Sequence, residues 1–255
     1  MKVASVKNII VNACSPGFFA VMVEKMWRRV SEADPRSEAR EAQRWCAQVA
    51  EDVEAFAQSL DAQIWNESTA YAERLESHSK LKLEPLGLDL GGGGDYRLLY
   101  FLVRLRQPAT VVETGVAAGY SSHAILTALR CNARGRLLSS DFPYFRLHRP
   151  EQYVGYLVDD DMRGDWELHL LGDRKNLPVI ARNAESIDLV HYDSDKSRAG
   201  RKYAMGVLLP ALSKSGLVVM DDIGDNLFFR DLAVSQDRSY RVFEFNGKHL
   251  GLIGL

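Results

Sequence analysis

From Pro108 onward, short apolar runs alternate with stretches of helical texture, and few architectures accept that rhythm other than parallel strands joined by crossover helices. Seven strands are expected: Thr110–Glu113, Arg136–Asp141, Trp166–Leu171, Ile187–Tyr192, Leu217–Met220, Arg241–Phe245 and His249–Ile253. The last two flank Asn246-Gly247, a residue pair that tolerates the positive φ angles of a tight turn, so they are expected to close the sheet as an antiparallel hairpin at its edge. The fold class is therefore α/β.

The first third of the chain reads differently. Between Pro35 and Ser77 there is no strand-like alternation, and Trp45, Val49, Val53, Phe56 and Leu60 fall on one face of an amphipathic helix. Glu38, Glu41, Arg44, Glu51 and Glu54 cover its opposite, solvated face. Gly87 and the run Gly91–Gly94 mark a hinge, and Asp95 is placed to cap a helix from Tyr96 to Arg106 that Pro108 stops. A length of 255 residues suits one α/β domain with an appendage. The expected division is a helical extension over 1–80, serving as lid or oligomerisation element, and a sheet domain over 81–255.

Composition narrows the partners. With 46% hydrophobic and 26% charged residues the chain is globular, and a net charge of −2 offers no cationic field to a nucleic-acid backbone. Cys14, Cys46 and Cys131 lie far apart, without metal or redox spacing, and read as reduced packing residues. The apolar stretch Phe18–Val23 is too short to span a membrane; Asn12, Ser15, Pro16 and Gly17 break it on one side, and Glu24 and Lys25 close it on the other. Internal packing is the expectation for Phe18, Phe19, Met22, Met26 and Trp27, with contact to a partner or a membrane surface as the alternative. A cytoplasmic location is expected.

The most informative segment is Val111-Val112-Glu113-Thr114-Gly115-Val116-Ala117-Ala118-Gly119-Tyr120-Ser121-Ser122, a buried strand that enters a small-residue turn and then a helix. Gly115 and Gly119 permit close backbone approach to a ligand, and the helix beginning near Ser121 offers free N–H groups to an anion. The spacing Glu-x-Gly-x-x-x-Gly differs from the pyrophosphate-binding Gly-x-Gly-x-x-Gly, which disfavours a dinucleotide. The turn resembles that of class I S-adenosylmethionine-dependent methyltransferases, and five parallel strands ending in a hairpin resemble their topology. The resemblance implies a Rossmann-like fold over 81–255 that binds S-adenosylmethionine. It assigns the methionine carboxylate to the helix start at Tyr120 and Ser121, and the cofactor's ammonium group to Glu113. Asp141, ending the second strand, then falls where ribose hydroxyls lie, and Asp173, after Leu171-Gly172, falls in the adenine-side loop.

The fourth strand ends in His191-Tyr192-Asp193-Ser194-Asp195-Lys196 and the fifth in Met220-Asp221-Asp222. Ligands in open α/β sheets bind at the carboxyl ends of strands, so Asp193, Asp221 and Asp222 are expected to converge. Three gathered carboxylates repel one another unless protonated or bound to a hard cation, which points to Mg²⁺ or a similar divalent ion. The pattern resembles metal-dependent O-methyltransferases of the catechol and macrolide-sugar types. Lys196 matches the general base of the former, and Asp193 or His191 takes that part by analogy with the latter. The implied acceptor is a hydroxyl of a small molecule or sugar. His123 and His169 read as packing residues, and Asp225 and Asn226 as turn formers. Tyr120, Trp65, His78 and the Gly91–Gly94 loop are expected around the acceptor pocket. Two other readings stand beside this one: a nicotinamide-dependent Rossmann oxidoreductase, which more often ends in a further crossover, and a non-catalytic assembly module. A homodimer or larger assembly is expected.

Overall fold

The structure is a computed structural model describing residues 3–14, 18–23, 27 and 36–255. All the expected strands lie in one sheet: β1 (Thr110–Thr114), β2 (Arg136–Ser140), β3 (Trp166–His169), β4 (Ile187–Tyr192), β5 (Leu212–Met220), β6 (Tyr240–Phe245) and β7 (Lys248–Ile253). Their spatial order is β3-β2-β1-β4-β5-β7-β6, so the winding reverses between β1 and β4. β1 to β5 run parallel, whereas β7 is antiparallel to both β5 and β6. Asn246 and Gly247 both have positive φ (51° and 73°), the backbone twist that a two-residue hairpin needs.

Successive residues of the central strands face opposite sides of the sheet, and helices cover both sides. Val111, Leu137, Leu189, Leu217 and Val219 pack beneath α3 (Val53–Leu83), α4 (Tyr96–Arg106) and α5 (Tyr120–Cys131). Val112, Leu138, Val190, Val218 and Met220 face α6 (Asp173–Asn183), α7 (Arg198–Leu208) and α8 (Phe228–Ser235). Burial on both faces explains why these strands read as continuous apolar runs. β5 begins earlier than its apolar run predicts: Leu212 pairs with Ile187, the register then shifts before Leu217 meets Leu189, and the polar residues between them, with Lys214 and Ser215 exposed, carry no apolar signal.

α1 spans Val3–Ala13 and α2 spans Arg36–Val49. The single helix expected from Pro35 to Ser77 is interrupted twice: between α2 and α3, where the Glu51 N–H donates to the Val242 carbonyl at 2.8 Å and pairs the chain with β6, and within α3 at Asp61, whose extended backbone (φ −162°, ψ 100°) kinks the helix. Asp52 then caps α3 by accepting from the Ala55 N–H at 2.6 Å. The expected apolar face is divided as a result. Trp45 packs near Phe229 and Tyr240, Phe56 sits on Phe243, and Leu60 is 42% exposed. Asp95 caps α4 as expected, accepting from Leu98 N–H.

Near the N-terminus, residues 18–23 are helical; Phe18 packs on Phe145 and Val21 is buried, but Phe19 and Trp27 are 56% and 73% exposed, so internal packing holds for only part of this stretch. Ser15, Pro16, Gly17, Glu24, Lys25, Met26 and Pro35 lie outside the described residues. Among the described residues no helix is long and apolar enough to cross a membrane.

Candidate active site

The parallel register sets the strand tips side by side. Glu113 pairs with Ser139 on one side and His191 on the other, and His191 pairs with Val219. Beyond the strands the ladder continues: Gly115 N–H donates to Ser140 O, Asp193 N–H to Thr114 O, and Asp221 N–H to Tyr192 O, each at 2.9 Å. The turn after β1 and the acids after β4 and β5 are thereby held along one edge, at the point where strand order reverses.

The turn itself is held from several directions. Gly115, Ala117 and Gly119 have positive φ. A Cβ on Gly115 would overlap the backbone carbonyl of Asp193, and one on Gly119 would overlap the backbone of Gly155, so the chain's own packing already demands both glycines. Asp141 Oδ2 accepts from the Val116 and Ala117 N–H groups at 2.9 and 2.7 Å. Burial pushes the Asp141 carboxyl up to about 6 against the pull of these N–H donors. Asp173 accepts from the Ser140 and Ser194 hydroxyls. No side chain caps the first turn of α5, which leaves an anion-binding helix start beside Gly119. Tyr120 stacks on Tyr96 with ring centroids 5.7 Å apart, and Gly93 rests against it. These features fit S-adenosylmethionine: a helix start with no side-chain cap, a turn of small residues, and an acid at the β2 tip.

Glu113 is fully buried, and its oxygens accept from the hydroxyls of Ser121 and Ser122 at 2.6 Å and Ser139 at 2.8 Å. It therefore braces β1 against α5 and β2. His191, also fully buried, sits between Glu113 and Asp221, with Nδ1 3.7 Å from one carboxylate and Nε2 3.6 Å from the other. Burial alone would lower its pKa, but the two carboxylates outweigh it and push it up to about 10.

Asp193 and Asp221 come together with His191, with one ligand atom of each inside 4.8 Å of the others. Burial, followed by the Asp221 charge, pushes the Asp193 carboxyl up to about 6. Lys196 reaches Asp193 Oδ1, and lies 3.1 Å from Asp222 Oδ2. Its own burial disfavours charge, yet Asp193 and Asp222 hold the ammonium form above its ordinary value. Asp222 also takes Lys248 at 3.0 Å, and despite its burial the two lysines keep it below the usual carboxylate range. Two lysines thus supply cations among the carboxylates. Asp193 and Asp221 are donors suited to a hard dication, with Asp222 adjacent but engaged by lysines. Together with Gly92, Gly93, Gly94 and the β6–β7 turn, the three aspartates line a cleft of about 230 Å³.

Several neighbours escape a motif search. Arg201, fully buried on α7, donates to the carbonyls of Asp221 and Asp222 at 3.2 and 2.7 Å and to Asn226 Oδ1 at 3.0 Å, fixing the β5 tip from behind. Its signal was present in the sequence, since Arg201, Ala204, Met205 and Leu208 share the buried helical spacing. Lys248 gave no such signal. Trp65, expected at the acceptor pocket, is 1% exposed and packs edge-on against Phe101, because α3 turns it toward the sheet. His78 is likewise elsewhere, beside His123 and Asp159. His169 lies 2.7 Å from Glu167.

Residues 112–223 match a family model described as a methyltransferase domain. Among solved structures, the chain is similar to TomG from Streptomyces achromogenes, an O-methyltransferase involved in tomaymycin synthesis and bound to S-adenosylmethionine. The TM-score is 0.57 at 21% identity, covering 71% of this chain and 88% of that one. An O-methyltransferase from Bacillus cereus in complex with S-adenosylhomocysteine gives 0.54 at 15% identity, over 71% and 90% of the two chains. A methyltransferase from Geobacter sulfurreducens gives 0.54 at 20% identity, over 74% and 97%. Among curated proteins nothing matches the chain. Residues 112–223 thus match a methyltransferase domain by sequence, and the chain shares the Rossmann-like fold of these solved methyltransferases.

Proposed function

We propose that this chain is an O-methyltransferase that methylates a hydroxyl of a small molecule or sugar. The observation that carries the proposal is the strand-tip ladder, which sets the turn after β1 directly beside a cleft lined by Asp193, Asp221 and Asp222. The glycine spacing and terminal hairpin favour this reading over a nicotinamide-dependent oxidoreductase. That TomG is an O-methyltransferase with S-adenosylmethionine bound supports it.

The cofactor, when bound, supplies an electrophilic methyl group. The helix start at Tyr120 and Ser121 would take its carboxylate, and Asp141 its ribose. An acceptor hydroxyl in the cleft gives its proton to the Asp193 carboxylate as its oxygen attacks. A new C–O bond forms, the C–S bond breaks, and the electron pair stays on sulfur. Asp193, pushed up to about 6, is a proton acceptor at neutral pH whose basicity exceeds that of an ordinary aspartate. Lys196 and His191, both held in their cationic forms, orient Asp193 and Asp221. Much of the rate comes from positioning donor and acceptor in line. Magnesium, where required, would be held by Asp193 and Asp221 with Asp222 beside them, and would acidify the acceptor hydroxyl.

Isothermal titration with S-adenosylmethionine tests the first step, and absence of binding at millimolar cofactor would defeat the proposal. Turnover of candidate hydroxyl acceptors tests the second, with chelator and Asp222→Ala expected to lower it. Turnover unchanged by chelator removes magnesium while leaving methyl transfer intact.

A further inference from the structure

We propose that His78, His123 and Asp159 form a second, separate site that binds a first-row transition-metal dication, zinc being the ion that suits it. His78 comes from α3, His123 from the second turn of α5, and Asp159 from the segment between β2 and β3. A ligand atom of each lies within 4.8 Å of the others, and both imidazole Nε2 atoms stand 3.8 Å from Asp159 Oδ2. Donors bound to zinc at about 2.0–2.2 Å lie roughly 3.4 Å apart, so binding needs a contraction of only a few tenths of an ångström on those edges.

The surroundings are organised as a metal site requires. Tyr71 Oη lies 2.7 Å from His123 Nδ1, which leaves Nε2 aimed at Asp159; such partners set the tautomer and ring orientation of a ligating histidine. Tyr71 is itself fixed by stacking on Tyr100, with ring centroids 4.3 Å apart. Lys82 engages the other oxygen of Asp159, Oδ1, at 2.6 Å, so the carboxylate is anchored while Oδ2 faces the two imidazoles. Two imidazoles and one carboxylate match zinc with a remaining position for water, and they are a poor set for magnesium, which prefers oxygen donors. His123 is 7% exposed, while the Asp159 and His78 side chains are a third open to solvent, which gives an ion an entry path.

An ion here would join three parts of the chain. The segment before Asp159 is bonded to the cofactor turn, with Gly155 N–H donating to Ala117 O and Leu157 N–H to Ala118 O, both at 2.9 Å. The metal would thus tie the long N-terminal helix α3 to the backbone that lines the turn. This inference does not depend on the nature of the methyl acceptor or on magnesium at the aspartates.

The test uses the full chain, stripped with chelator and then equilibrated with Zn²⁺ or Co²⁺ alone. Wild type is expected to retain one equivalent of zinc after dialysis and to give the visible absorption of four-coordinate Co²⁺. His78→Ala and Asp159→Asn should each abolish both signals, while Tyr71→Phe should weaken binding by about tenfold or more. Asp222→Asn, at the other carboxylate cluster, should leave the Co²⁺ spectrum unchanged. Circular dichroism separates loss of site from loss of fold, and His78→Ala, at a partly exposed position, is the variant least able to unfold the chain. Wild type that takes up neither ion, or uptake that survives both His78→Ala and Asp159→Asn, overturns the proposal.

Discussion

Replacing Asp95 by Asn should make the protein more stable, with a gain that grows from about pH 4 and is complete above about pH 6. Asp95 is 2% exposed at the start of α4. One oxygen accepts from Leu98 N–H at 2.9 Å, whereas Oδ2 is buried without a hydrogen-bond partner among the described residues. Burial, with a smaller contribution from Asp221, pushes the carboxyl from 3.8 up to about 6. The folded chain therefore holds this proton more tightly than the unfolded chain. The associated stability is fully present below about pH 4 and is lost as pH rises through about 6. A shift of about two units corresponds to about 3 kcal/mol, an upper bound since the denatured state is not fully solvated. Asn is as good an N-cap as Asp and carries no charge, so the capping bond survives while the desolvation cost disappears. Urea unfolding of wild type and Asp95→Asn at about pH 4 and about pH 8 measures the difference directly. The variant should gain about 2–3 kcal/mol on wild type between the two conditions. An equal difference at both pH values, or a wild type that strengthens relative to the variant as pH rises, would refute the electrostatic argument.

Three further outcomes follow from the site. Arg201→Met removes three donations to buried acceptors, and should cost about 4 kcal/mol and lower Tm by about 7 °C in calorimetry; a loss below about 1 kcal/mol would mean that the β5 tip holds itself. Gly94→Ala places a methyl group on the Asp221 carboxylate, so turnover should fall about tenfold or more while S-adenosylmethionine affinity, read by titration calorimetry, stays constant. Glu113→Gln removes one of the two carboxylates facing His191, and ring-nitrogen NMR should show the imidazole losing its proton at lower pH than in wild type; an unmoved titration would assign the shift to Asp221 alone.

The sheet was legible because its strands are apolar on both faces and because Asn246-Gly247 announces a hairpin. The convergence of Asp193, Asp221 and the turn after Glu113 follows from parallel winding, which brings carboxyl ends to one edge. What stayed hidden depends on tertiary pairing. Nothing local in Ala50-Glu51-Asp52 ends a helix as surely as the strand beside it does, so the break between α2 and α3 becomes visible only once Glu51 meets β6. The lysines among the aspartates were half seen: Lys196 follows Asp193 closely, but Lys248 arrives from the hairpin, distant in sequence. His78, His123 and Asp159 share no motif spacing, and only the packing of α3 against α5 assembles them.

The hairpin separates two tasks that many enzymes combine in one loop. In the proposed function the methyl donor would sit at the turn after β1, inside the sheet, while Phe245, Asn246, Lys248 and His249 of the edge hairpin line the opposite side of the cleft. Under the proposed function, substitutions in that reverse turn would reshape the wall that faces the acceptor while leaving the turn after β1 untouched.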